Sequence, residues 1–352
     1  YVLRLATEHG TAVEAKGVRE GKRLTNLGFG VMYPVAGRDS KTVYFYDYNP
    51  HETPSIRSVD LETGKVTKIT SARVYGQMSL AADEASIKTA FWKYAVLIFP
   101  DQDLSPRQHI DFAKRFGPVE TDRVLDPKVT PHRLDQSFAD ISNLTPDGKI
   151  WAEDSRQRMY KAGNKLWHTD SSFKFRPGLA SMLYCRTVSP VGGHTEFADQ
   201  RAAYDALPDA MKKKLQGLVA EHSIATSRKK SGFEGFNDDE GRRLPPVPQV
   251  LVRTIPESGR KSLYLASHIG RIFELPEAEA RDLVEGLIAH TTQRQFVHTH
   301  RWRPRDLVMW DNRCTMHRGT DYDDLRWVRD MRRTTVSDIA NTCEQEGIAV
   351  PA

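Results

Sequence analysis

The chain has 352 residues, 39% hydrophobic and 28% charged, with a formal net charge of +5 and a pI near 9.0. That is ordinary globular composition, with enough chain to bury a sizeable core. Basic residues are spread out, with only short runs such as Lys212-Lys213-Lys214 and Arg228-Lys229-Lys230, so a nucleic-acid-binding stripe is not expected. A modest pull on small anions is.

Cys185, Cys314 and Cys343 form no close pair, which fits a reducing compartment and a cytoplasmic location. No apolar run reaches the ~18 residues of a membrane helix, and no charged-then-apolar leader follows Tyr1. A homo-oligomer is compatible with this composition.

Residues 1–70 read as an N-terminal extension of unassigned origin. Thr42–Tyr46 is a strand, and Ser58–Ile69 reads as strand, Gly-containing turn, strand. The hairpin resembles one propeller blade, but no second copy follows at a blade-length period, so no chemistry is assigned there. A single domain is expected over 71–340, with 341–352 as a C-terminal tail. It opens with a short strand at Arg73–Gly76, then a helix turning Ile87, Ala90, Phe91 and Tyr94 inward. Val96–Phe99 is a buried strand. Ser105, Pro106 and Gln108 start a second helix by N-cap, first-turn proline and capping box, its face being Ile110, Ala113 and Phe116.

Residues 118–165 are polar and Pro/Gly-punctuated, as in a lid or substrate loop. Ala180–Cys185 is a strand, and Gly192-Gly193 a tight turn into another. Helices are expected at Arg201–Ala206, Pro208–Val219 and Pro276–Ala289, with a mobile charged stretch at 226–248. Ser262–Ala266, Gln295–His298, Asp306–Trp310 and Met331–Val336 complete the strands. The pattern is mainly β with helical insertions (α+β), expected to form a double-stranded β-helix, a cupin-like jelly roll.

Within Leu166–Phe173, His168 and Asp170 stand two apart and, in an extended segment, project from one side. If His317, within Trp310–Arg318, converges on them, the three form a 2-His-1-carboxylate triad with open positions for a co-substrate and O2. Structural zinc would be closed by four ligands, commonly cysteines, and none lies beside His168 or Asp170. H-x-D alone is a common chance pattern, more often a structural His and a surface Asp.

What strengthens it is Arg329-Asp330-Met331-Arg332-Arg333, 12 to 16 residues after His317. In extended chain Arg329 and Arg333 share a face, with Arg332 opposite. Guanidiniums beside a metal are costly unless they bind anions. One suits a dicarboxylate co-substrate and the other an acidic substrate; salt bridges to acidic neighbours are the bland alternative. His298-Thr299-His300 competes as a metal pair but lacks a carboxylate at suitable spacing. His194 and His222 read as structural or solvent-facing, the latter on a helix.

Six ordered segments carry a family likeness: Lys93–Leu97 with Asp101–Leu104, Asp140–Leu144, Gly163–Phe173, Gly192–Asp199, Asp306–Arg313 and Arg329–Arg333. From about Ser71 to Val336 the chain resembles the 2-oxoglutarate-dependent dioxygenases of the taurine/2,4-dichlorophenoxyacetate (TauD/TfdA) family, particularly the phenoxyacetate-degrading branch. The resemblance implies that His168, Asp170 and His317 bind Fe(II) and carry catalysis, and that Thr195 and Arg329 hold the distal carboxylate of 2-oxoglutarate. It places Arg333 on the substrate's carboxylate or sulfonate and Asn143 in the substrate pocket. Trp167, Phe173 and Trp310 are pocket walls or core.

The implied reaction, with O2 as co-substrate, hydroxylates a small anionic molecule such as 2,4-dichlorophenoxyacetate and cleaves its ether to a phenol and glyoxylate. Succinate and CO2 are the other products. The alternatives are a taurine, alkyl-sulfonate or alkyl-sulfate dioxygenase, a catalytically silent jelly-roll binding protein, and a nucleic-acid-acting dioxygenase, which would need a basic groove with stacking aromatics. The loop Arg318–Val328 is one residue longer than the family pattern, and the first seventy residues lie outside it.

Overall fold

The strand–turn–strand read at Ser58–Ile69 is present in the computed structural model, which describes residues 7–8, 11–12, 30–36, 41–48, 55–63, 65–71, 84–121, 124–125 and 132–351. The chain divides into two compact units, Tyr1–Ser86 and Ile87–Ala352. In the first, β1 (Thr7–Glu8) pairs with β2 (Thr11–Ala12). The strands β3 (Gly30–Ala36), β4 (Thr42–Tyr48), β5 (Ser55–Asp60) and β6 (Val66–Ser71) form a four-stranded antiparallel sheet. Asp60 Oδ1 shapes its last turn by accepting from Thr63 N at 2.7 Å. Val43, Phe45 and Val59 make a small core. The strand expected at Arg73–Gly76 lies outside the described residues.

The second unit is built on an antiparallel sheet of β7 (Val96–Phe99), β8 (Ala139–Asp140), β9 (Gly178–Thr187), β17 (Leu307–Asp311) and β19 (Asp330–Ser337), in the order β7-β17-β9-β19-β8. β9 is mostly apolar and buried along most of its length because both its faces are covered. Ala180, Met182 and Tyr184 pack with Phe91, Ala113 and Met309, whereas Leu183 and Cys185 pack with Phe197, Trp302 and Trp310.

A second sheet orders β10 (Thr195–Asp199), β16 (Val297–His300) and β18 (Thr315–Gly319) as β16-β10-β18. Phe197 of β10 meets Trp310 of β17, ring centroids 5.4 Å apart, which packs this sheet on the first. Beyond it lie β11 (Val219–His222), β12 (Val247–Val250) and β15 (Ile269–Ile272), ordered β12-β11-β15, and the pair β13 (Val252–Thr254) and β14 (Lys261–Leu263). The architecture is mixed helix and sheet.

The helices are α1 (Glu84–Tyr94), α2 (Pro106–Lys114), α3 (Arg156–Ala162), α4 (Gln200–Asp205), α5 (Asp209–Leu215), α6 (Ile224–Lys230), α7 (Asp238–Arg243), α8 (Glu277–Thr291) and α9 (Thr342–Glu346). α2 starts on the expected capping box, Ser105 N donating to Gln108 Oε1 and Gln108 N to Ser105 Oγ. No helix among the described residues is long and apolar enough to cross a membrane.

Three sequence expectations are corrected, and the C-terminal tail is located. Tyr94 is 59% exposed, not inward. The helix expected to Val219 stops at Leu215, because buried Val219 is drawn into β11 beside Val250 and Cys343. The stretch 226–248 holds α6 and α7, the latter closed by an Asn237–Glu240 capping box. The C-terminal segment docks through α9: Thr254 N donates to Glu346 Oε1 at 2.6 Å and Arg253 Nη2 to Gln345 Oε1 at 2.9 Å.

α2 also buries His109, fully enclosed, on the face assigned to Ile110; its Nε2 lies 3.2 Å from Thr334 Oγ1. Burial, and then the Arg332 charge, pull its pKa from 6.5 down to about 3. Between those values the unfolded chain takes up a proton that the folded chain refuses, so stability falls as pH drops below 6.5. At pH 5 the loss from this one group is about 2 kcal/mol. Urea unfolding at pH 7 and pH 5 checks it: His109→Gln should shrink the difference by that amount, and an unchanged difference would refute the assignment.

Candidate active site

Backbone pairing brings the two distant histidines together. His168 N donates to His317 O at 3.0 Å and His317 N to His168 O at 2.8 Å, a lone antiparallel bridge. The strand expected around Leu166–Phe173 does not continue past it. The chain turns at Asp170, with Ser171 left-handed at φ 56°, so a turn brings the carboxylate beside the imidazole.

His168 Nε2 lies 3.8 Å from Asp170 Oδ1 and His317 Nε2 3.7 Å from Asp170 Oδ2. These separations are too long for hydrogen bonds and suit donor atoms gathered around one cation. The ligand atoms of His168, Asp170 and His317 all fall within 4.8 Å of one another, and no other group of three among the described residues does this. All three side chains are buried.

Electrostatics fit a metal. Burial holds the His168 pKa down at about 4 and that of His317 well below the usual value, so both rings are neutral with lone pairs to give. His168 Nδ1 donates to Leu166 O at 2.7 Å, which leaves Nε2 as the lone-pair nitrogen facing Asp170. Burial opposes ionisation of Asp170, but its pKa is held down, with the Arg333 guanidinium the largest opposing influence. Its Oδ2 accepts from Ser181 Oγ at 2.7 Å, and Ser181 in turn accepts from Asn312 Nδ2 at 2.9 Å. Asn312 Oδ1 accepts from Trp310 Nε1 at 2.9 Å. The carboxylate is therefore oriented from β9 and β17 together.

Two cavities meet at this cluster, sharing His168 and Arg333 in their walls. The one on the His317 side has a volume of about 270 Å³ and is lined by Leu183, Thr195, Trp310, Tyr322 and Arg329. The one on the Asp170 side, about 180 Å³, is walled by Phe138, Ile141, Leu144, Trp151 and Phe173.

In the first, Trp302 Nε1 donates to Thr195 Oγ1 at 2.9 Å, leaving the hydroxyl proton free to donate into the cavity. Arg329 is 8% exposed; its Nε donates to Gly193 O at 3.1 Å, and it has no carboxylate partner among the described residues. Burial pulls its pKa below the usual guanidinium value. The turn that presents this carbonyl needs both glycines: Gly192 and Gly193 take φ +73° and +66°, and a Cβ on Gly192 would lie 2.3 Å from Asp321 O.

The alternation read at Arg329–Arg333 holds, despite a register shift at the head of β19. Arg329 and Arg333 both line the first cavity, while Arg332 turns away to donate to Leu104 O at 2.5 Å. Arg333 Nη1 donates to Asp170 Oδ1. Asn143 borders the same cavity, but its side chain ties down the following loop. Nδ2 donates to Asp324 O at 2.7 Å and Trp327 O at 2.9 Å, and Oδ1 accepts from Arg329 N at 2.9 Å.

Trp310 and Phe173 are cavity walls, whereas Trp167 packs on the core beneath the Arg318 guanidinium. His300 corrects one reading, since Asp306 Oδ2 does lie 3.1 Å from its Nε2, but His298 is exposed and no three-residue cluster forms there. His222 is buried on β11, 3.0 Å from Ser172 Oγ, and not on a helix. Ser181, Asn312 and Trp302 were missed because each acts through a partner far away in sequence. Arg228, in the wall of the second cavity, was missed inside a run that looks like solvated charge.

Two neutral imidazoles, a carboxylate and an unpaired buried guanidinium make a site suited to a mononuclear metal and an anionic co-substrate. The chain belongs to the taurine catabolism dioxygenase TauD, TfdA family, whose family model matches residues 66–335. It is 45% identical over 247 residues to the alpha-ketoglutarate-dependent 2,4-dichlorophenoxyacetate dioxygenase of Cupriavidus pinatubonensis, covering 70% of this chain and 85% of that one. To the Burkholderia sp. enzyme of the same description it is 40% identical over 282 residues, covering 80% and 94%. The crystal structure of AAD-2 in complex with Mn(II) and N-oxalylglycine superposes with a TM-score of 0.67 at 46% identity, over 73% of this chain and 88% of that one.

Proposed function

We propose that this chain is an Fe(II)- and 2-oxoglutarate-dependent dioxygenase on a double-stranded β-helix, acting on an aryloxyalkanoate such as 2,4-dichlorophenoxyacetate. The dioxygenase domain is residues 71–340, with 1–70 as an extension. Three free, buried cysteines support a cytoplasmic location.

His168, Asp170 and His317 would hold the iron. Iron with 2-oxoglutarate and O2 supplies the oxidising power that hydroxylates a substrate carbon while 2-oxoglutarate leaves as succinate and CO2. The protein's part is binding, orientation and exclusion of water. Thr195 and Arg329 receive the distal carboxylate of 2-oxoglutarate. Arg333, at the meeting of the two cavities, faces the acid group of the substrate, and the aromatic walls beside Asp170 take its ring. Hydroxylation beside the ether oxygen gives a hemiacetal that falls apart to a phenol and glyoxylate.

The observation that carries this reading is Arg329. It is a buried cation with no carboxylate partner among the described residues, beside Thr195 in the cavity that reaches His317. Such a charge is retained at a desolvation cost that an incoming carboxylate offsets. Succinate release with a panel of aryloxy acids and alkyl sulfonates tests it. Turnover with aryloxy acids is the expected result; turnover of sulfonates alone would assign the taurine-type reading, and no succinate with any acid would refute the enzyme reading.

A further inference from the structure

The cavity on the Asp170 side contains a cation that the reading above leaves unused. Arg228, on α6, is 5% exposed and lines this cavity beside Phe173 and Trp151. Its partners are neutral. Nη2 donates to Asn164 Oδ1 at 3.2 Å, Nη1 to Ser227 Oγ at 3.5 Å, and the guanidinium carbon sits 4.4 Å from the centroid of the Tyr160 ring. Its buried Nε has no partner among the described residues.

Most other charges of the cavity wall are matched. Glu120 pairs with Lys174 at 2.8 Å, Asp140 with Arg133 at 2.9 Å, and Asp170 with Arg333. Lys161 has no ion pair among the described residues but donates to Ser142 O at 2.6 Å, and burial pulls its pKa down against the pull of Asp140. Arg228 has no acid within ion-pair distance among the described residues, and a buried charge in that condition is unfavourable until an anion arrives.

Its position is also built. A Cβ on Gly163 would come within 2.1 Å of Arg228 Nη1, so only glycine leaves room for the guanidinium. Gly163 and Asn164 head the most specific sequence segment of the chain, yet neither belongs to the triad described above. Holding Arg228 gives both a purpose.

We propose that Arg228 is a specificity-determining residue: it receives the carboxylate of an aromatic acid in this cavity, alongside Arg333, and selects acids over neutral analogues of the same shape. This rests on the aryl-acid reading of the site. Arg333 already shares its guanidinium with Asp170, whereas Arg228 keeps its charge without an acid partner among the described residues and an Nε without an acceptor. Hydrogen bonds to a charged group discriminate against an uncharged isostere by about 10- to 100-fold.

The test is calorimetric, on protein loaded with Mn(II) and N-oxalylglycine, using 2,4-dichlorophenoxyacetate and its neutral amide as probes. Arg228→Gln should weaken acid binding about 10- to 100-fold and leave the amide within about twofold, with Arg228→Lys recovering part of the loss. Mn(II) and N-oxalylglycine binding should be unchanged. Gly163→Ala, which displaces the guanidinium without removing it, should produce the same selective loss, and it decides the matter if Arg228→Gln does not fold. Equal weakening of acid and amide, or no weakening of either, would overturn the role of Arg228 and leave the aryl-acid reading intact. Failure of the wild-type protein to bind any aryloxy acid would overturn both.

Discussion

Replacing Arg329 with methionine should weaken 2-oxoglutarate binding by about 30- to 1,000-fold while leaving the ligand-free melting temperature unchanged or raised. The two halves of this expectation have one cause. In the free protein the guanidinium is buried, held by a single carbonyl and without a carboxylate partner among the described residues, so its charge is a net burden on the fold. Methionine fills much of the space without that charge. When 2-oxoglutarate enters, the balance reverses, because its distal carboxylate gives the guanidinium beside Thr195 the acid it lacks. Calorimetry in the presence of Mn(II) and a thermal melt without ligand read the two effects separately. Wild-type affinity in Arg329→Met would place the distal carboxylate elsewhere. A large fall in the ligand-free melting temperature would show that the arginine is mainly structural.

Asp170→Ala should abolish measurable Mn(II) binding and lower folding stability by about 3 kcal/mol. The carboxylate is the one anionic member of the triad, and it is also the partner of Arg333 and the acceptor for Ser181. Removing it leaves two neutral nitrogens for the metal and a largely buried arginine without its acid. Asp170→Asn separates the consequences: it keeps an acceptor for Ser181 and fills the same volume, so it should fold better than the alanine variant yet still lose the metal. Retained Mn(II) binding in both variants would mean that another group supplies the carboxylate.

Much of this site was legible before the structure. The ligand set could be read because metal chemistry restricts residue types, and because H-x-D, a distant histidine and two arginines four apart each narrow the choice. Their meeting could not be read, since it depends on a lone backbone bridge between His168 and His317. The same limit explains the misread segments. Local pattern suggested a strand through Leu166–Phe173, but a turn at Asp170 replaces it, and α5 was extended to a valine whose burial in β11 is decided by partners in β12 and α9.

Asn143 borders the cavity, but nothing local reveals that its amide also secures the loop ahead of Arg329. Arg228 was hidden most completely. A basic run in a Gly/Pro-rich stretch reads as solvated, and its burial depends on a missing side chain at Gly163. The six segments of family likeness identified the second unit, whereas in the sheet of β3 to β6 one strand and a hairpin were legible but not their pairing, because the partners carry no distinguishing motif.

The central claim is that the triad and Arg329 together hold Fe(II) and 2-oxoglutarate. Anaerobic titration of the wild-type protein with Fe(II), then 2-oxoglutarate, followed by visible absorption, tests it most directly. A charge-transfer band is predicted in the wild type and none in His317→Ala. No band in the wild type, or one that survives in His317→Ala, would contradict the assignment.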